Sequence, residues 1–122
     1  MYNQAAQAYQ ATSKLGESPR ELEAQLLLKA ALRLQLIADN WDEQSSQLND
    51  AVTYNRRLWT FLVTAATGAE SQLPDTLKEN IVNLANFIFR RSINVLANPE
   101  PARIKVLIDI NRNIAEGLRG NA

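Results

Sequence analysis

The sequence predicts an all-α fold, a small helical bundle of four long amphipathic helices with a weaker helix at the N-terminus. Three observations carry this. Apolar residues recur at helical spacing through most of the chain, and no stretch alternates with the period of a strand. Only four glycines and four prolines occur in 122 residues, which suits long elements joined by short connections. The apolar share of 46% is that of a globular chain, and the length fits one domain over residues 1–122.

The weaker helix covers about Tyr2 to Leu15, within residues 1–16. Its stripe of Tyr2, Ala5, Ala6 and Tyr9 has little apolar surface to bury, and Gly16 ends it. It either docks weakly or orders on a partner. The next helix starts at S-P-R-E, with Ser18 as N-cap, Pro19 in the first turn and Glu21 completing a capping box. It runs to about Asn40 or Trp41. One face carries Leu22, Leu26, Ala30, Leu34, Ile37 and Trp41, widened by Leu27, while Leu28, Leu32 and Leu36 form a second stripe. Such a helix is either buried on two sides or offers the second stripe to something else.

D-E-Q-S-S-Q at 42–47 reads as a polar connection. A third helix spans about Leu48 to Thr67 and stops at Gly68. Its apolar face is Ala51, Leu58, Trp59, Leu62, Val63 and Ala66, with Asn55 in the middle. A fourth begins at Leu73-Pro74-Asp75 and runs to about Ala97, with Leu77, Ile81, Leu84, Ala85, Ile88, Val95 and Leu96 on one arc. Phe87 falls on its polar side with Asn80, Asn83, Arg91 and Asn94. Asn98-Pro99-Glu100-Pro101 breaks the helix. The fifth, about Ala102 to Leu118, is lined by Ile104, Leu107, Ile108, Ile114, Ala115 and Leu118, with Asn111 at the centre.

Composition excludes much chemistry. Without cysteine there is no thiolate nucleophile, disulfide or cysteine zinc site. Without histidine the usual neutral-pH base and metal ligand are missing, and a Ser-His-Asp triad cannot form. The pairs Glu21-Glu23 and Asp42-Glu43 read as solvated charge. The four glycines are too scattered for a phosphate loop. We therefore expect no enzyme, no cofactor and no metal. Residues 1–10 lack a basic start and an apolar run, so no secretory signal is expected. The uncharged stretch Leu58 to Ala69 is shorter than the roughly 18 residues that span a bilayer. A cytoplasmic protein without a membrane partner is the expectation.

Two sets of polar residues and one apolar set are left as candidates. Asn55-Arg56 and Asn111-Arg112 each put an amide inside an apolar face. A buried amide left unbonded costs about 1–3 kcal/mol. The two amides either pair with each other or with backbone, fixing helix register, or line a groove and bond a partner. Arg90 and Arg91 belong to a wider set with Arg56, Arg57, Arg103, Arg112 and Arg119. Residues 55–122 hold 9 basic and 6 acidic groups, against 4 and 7 in residues 1–54. These arginines form either solvated faces and internal ion pairs or a patch for an acidic partner or RNA. Leu28, Leu32, Leu36 and Phe87 lie off the main faces. They either pack on the first helix or on a neighbouring one, or form a groove or patch for a partner helix.

S-P-R-E-L-E-A-Q-L-L at 18–27, Y-N-R-R-L-W at 54–59, L-P-D-T-L at 73–77 and L-I-D-I-N-R-N-I-A-E-G-L at 107–118 together resemble the FlaF family of flagellar biosynthesis regulators of alphaproteobacteria. The matching positions are Asn55, Arg56, Leu58, Trp59, Ile110, Asn111, Arg112, Ile114, Gly117 and Leu118. The resemblance implies a cytoplasmic factor that promotes flagellin synthesis or export as a flagellin-binding chaperone, in concert with or opposition to the FlbT regulator. Flagellin is the expected partner, and Leu28, Leu32, Leu36, Phe87, Arg90 and Arg91 are the residues expected to meet it. Two alternatives stand beside it. One is a regulator of flagellin messenger RNA, acting directly or through FlbT. The other is a homodimeric adaptor using the Leu28, Leu32, Leu36 stripe as its seam.

Overall fold

A computed structural model describes residues 19–120 of the chain. Five α-helices follow one another: α1 (Pro19–Asp39), α2 (Trp41–Gln44), α3 (Leu48–Thr67), α4 (Asp75–Ala97) and α5 (Pro101–Leu118). The four long ones are the amphipathic helices expected, and no strand occurs among the described residues. The N-terminal helix expected over residues 1–16 and the Ser18 cap lie outside the described residues.

Local chemistry sets the boundaries. Pro74 is extended, and its carbonyl accepts the amides of Leu77 and Lys78 at 3.0 Å each, so α4 starts at Asp75. Asp75 in the first turn complements the positive end of the helix. Pro101 occupies the opening of α5, where its missing N–H costs nothing. At the other end Gly120 takes φ +76°, and its amide bonds the Gly117 carbonyl at 3.1 Å, closing the helix through a left-handed turn. Gly68 ends α3 differently, in an extended conformation.

The connection at 42–47 corrects the reading of a loop. α1 breaks at Asn40, whose backbone and side-chain amides both bond the Leu36 carbonyl, at 3.0 and 2.8 Å. The chain then re-enters helix as α2, followed by a 3-10 turn over Ser45–Gln47. No glycine or proline stands between Asn40 and Leu48 to prevent it. Trp41 therefore opens α2 instead of closing α1, half-buried against the core.

α1 packs most extensively on α5, α3 on α4, and smaller contacts join α1 to α3 and α4 to α5. Each helix thus neighbours the long helices next to it in sequence, and the last closes on the first. Arg119, just after α5, meets Glu21 near the start of α1, so these two run antiparallel. The result is an up-down-up-down bundle with α1 diagonal to α4 and α3 diagonal to α5. Leu27, Leu34, Leu58, Trp59, Ile88 and Leu107 are among the side chains filling its centre. Ala24, Ala31 and Val52, outside the faces read from the sequence, are buried as well.

Candidate functional site

The four polar-motif residues divide between interior and surface. Asn55 and Asn111 are wholly buried, while Arg56 is half-buried and Arg112 exposed. The Trp59 indole N–H donates to Asn111 Oδ1 at 2.9 Å. Asn111 Nδ2 donates to Asn55 Oδ1 at 2.7 Å and to the Leu27 carbonyl at 3.3 Å. The chain of donors has one sense. The indole can only donate, which makes the Asn111 atom facing it the oxygen. Its amide nitrogen must then meet the Asn55 oxygen. Among the described residues, Asn55 Nδ2 is left buried without a hydrogen bond. The network crosses the diagonal from α3 to α5 and touches α1, so it bonds three helices at one level. Of the two readings of the Asn-Arg pairs, the amides pair with each other and with backbone. Trp59 and the Leu27 carbonyl complete the arrangement.

The apolar candidates separate too. Leu32 is 56% and Leu36 48% exposed, one turn apart on α1, with Lys29 and Arg33 exposed beside them. Leu28 does not join them. It is half-buried and packed against the core, which corrects its place in the stripe. Phe87 is half-buried on α4, Arg90 exposed, and Arg91 half-buried with Nε buried and unbonded among the described residues. Because α4 is diagonal to α1, the structure does not bring Phe87, Arg90 and Arg91 into one surface with Leu32 and Leu36. Ile93, 63% exposed on α4, is a further large apolar residue at the surface that the sequence reading missed.

The acidic pair at the start of α1 is not simply solvated. Glu21 accepts both Arg119 Nε and Nη2, at 2.9 and 2.7 Å, and Gln25 Nε2 at 3.1 Å. The Arg119 hydrogen bonds hold its carboxyl below the usual carboxylate range. Glu23 corrects the solvated reading outright: it is only 6% exposed. Burial pushes its carboxyl up to about 7, and the nearby positive charge of Arg20 offsets only part of that rise. The signal was present in the spacing. Glu23, Leu27, Ala30, Leu34 and Ile37 follow one helical stripe, and the last four are core.

Glu23 lines a cleft of about 400 Å³ between the start of α1 and the end of α3, with Pro19, Arg20, Ala65, Ala66, Glu70, Ser71, Gln72 and Leu73. Among the described residues no group of three acidic side chains is placed to hold a metal ion. Among the same residues no helix is long and apolar enough to cross a membrane.

No curated protein and no solved structure matches the chain. The family model described as flagellar protein FlaF matches residues 5–118, which includes all four resembling segments. The matched span takes in the buried Asn55–Asn111 network, the exposed leucines of α1 and the Glu23 cleft alike, and the chain belongs to the FlaF family of flagellar proteins.

Proposed function

We propose that this protein is a cytoplasmic flagellin-binding factor that promotes flagellin synthesis and export, and that it meets flagellin through α1. Membership of a flagellar family supports the biological setting. The observation that carries the surface is the pair Leu32 and Leu36, 56% and 48% exposed and one turn apart, outside the core. Two leucines at this spacing fit the apolar stripe of a partner helix, such as a helical terminal segment of flagellin.

Burying each leucine from its half-exposed state is worth about 1 kcal/mol, half of a full side-chain burial. Leu32→Ser with Leu36→Ser should therefore weaken flagellin binding roughly 30-fold. Purified protein is titrated with purified flagellin by calorimetry, and the double variant is compared. Absence of a complex at tens of micromolar refutes flagellin binding. An unchanged affinity in the double variant refutes this surface. The same exposed pair also favours a second reading, a homodimer with α1 as its seam. Sedimentation equilibrium over a range of concentrations decides it, since a concentration-independent monomer removes it.

A further inference from the structure

The cleft at Glu23 stands apart from the exposed leucines, and the flagellar setting does not explain it. Its lining combines three features. Glu23 is 94% buried by residue surface and makes no hydrogen bond or ion pair among the described residues. Ala65, Ala66, Leu73 and Pro19 give it apolar walls. Its volume of about 400 Å³ is open to a side chain entering from solvent.

We propose that this cleft receives a basic side chain, lysine or arginine, presented by a partner polypeptide. Such a side chain has the matching two parts, an aliphatic stem for the apolar walls and a cationic head for the carboxylate. Other ligand classes fit less well. An anion would face both Glu23 and Glu70. A hard metal ion needs several oxygen ligands, and no group of three acidic side chains is available among the described residues. The titratable groups lining the cleft are Glu23 and Arg20 from α1 and Glu70 from the segment after α3, a set that becomes net acidic when Glu23 ionises. Arg20 lowers the pKa of Glu23 less than burial raises it, so among the described residues the carboxyl has no fully compensating partner. An incoming cation supplies that partner and favours the ionised form. Binding should therefore tighten as pH rises from about 6 to about 8.

The test uses the full chain and two capped tripeptides, acetyl-Gly-Lys-Gly-amide and acetyl-Gly-Arg-Gly-amide, with norleucine in place of the basic residue as the control. NMR follows the amides of Glu23, Ala66 and Leu73 and the Glu23 carboxyl carbon. One or both basic peptides should give saturable shifts at these residues with a Kd on the order of 1–10 mM, and the norleucine peptide none. Glu23→Gln, which keeps size and removes charge, should weaken binding at least tenfold. Saturating peptide should move the Glu23 titration to lower pH. Equal shifts with norleucine, no saturable shift with either basic peptide, or unchanged affinity in Glu23→Gln overturns the proposal. Should Glu23→Gln alter the fold, the wild-type carboxyl decides alone: titration in the ordinary range near 4.5 in the free chain means the carboxylate already has a partner, and the proposal fails. None of these outcomes depends on flagellin binding.

Discussion

Replacing Asn111 by alanine removes the central member of the buried network and leaves its neighbours in place. The Trp59 N–H loses its acceptor, and Asn55 Oδ1 loses its donor. Both atoms stay buried, since Trp59 and Asn55 are 0% exposed. Each orphaned group costs about 1–3 kcal/mol, and the vacated volume adds a packing loss. A water drawn into the void would bring the total toward its lower end. The sum is about 3–5 kcal/mol, against a total stability of about 5–15 kcal/mol for a domain. For a chain of this length that shifts Tm by roughly 10–20 °C. Asn55→Ala should cost less, about 1–2 kcal/mol. Asn111 Nδ2 keeps the Leu27 carbonyl, and the substitution also removes the unbonded Asn55 Nδ2. Urea unfolding followed by far-UV circular dichroism and tryptophan fluorescence gives both values. A cost below about 1 kcal/mol for Asn111→Ala, or a larger cost for Asn55→Ala, would refute the network as a structural tie.

Three further outcomes follow from the same geometry. The folded chain holds the Glu23 proton up to about 7, whereas the unfolded chain releases it near 4.5, so stability falls as pH rises through that window. Glu23→Gln should remove this slope, stabilising the protein by up to about 3 kcal/mol at pH 8 and hardly at all at pH 4.5, and urea midpoints that differ equally at all pH values would contradict it. Leu32→Ser and Leu36→Ser should each change stability by less than about 0.5 kcal/mol, while Leu28→Ala, which removes atoms packed against the core, should cost about 1–2 kcal/mol; equal effects on Tm would put Leu28 back in the exposed stripe. Gly117→Ala should be tolerated and gain about 0.5 kcal/mol, because a Cβ there meets only Leu77 Cδ1 at 3.5 Å, an ordinary van der Waals distance. A lowered thermal midpoint would show that the α4–α5 approach is tighter than this.

Much of the fold was legible in the sequence because helical period and helix punctuation are local. Pro74, Gly68 and Pro101 mark helix boundaries by their own backbone chemistry, and the expected ends of α3 and α4 agree with the observed ones. The 42–47 segment was misread because polarity is a weaker signal than the absence of glycine and proline. With no breaker present, a polar stretch still closes helical turns on itself. Candidate surfaces were harder to read. Leu28 and Leu32 are equivalent in sequence, four residues apart on one stripe, yet only Leu28 is packed against the core while Leu32 is 56% exposed.

The sequence by itself determined the helical class, the four long amphipathic helices, the absence of histidine and cysteine chemistry and the family. It also placed Asn55 and Asn111 inside apolar faces. The tertiary structure alone decided which groups those amides meet, because Trp59, Leu27 and Asn111 lie 32 to 84 residues apart in sequence and become neighbours only when three helices pack. It also decided that Glu23 is buried while Glu21 pairs with Arg119. Helical spacing put Glu23 on the core stripe, but only the packed chain leaves it 6% exposed, at a cleft that the end of α3 and the segment after it share with the start of α1.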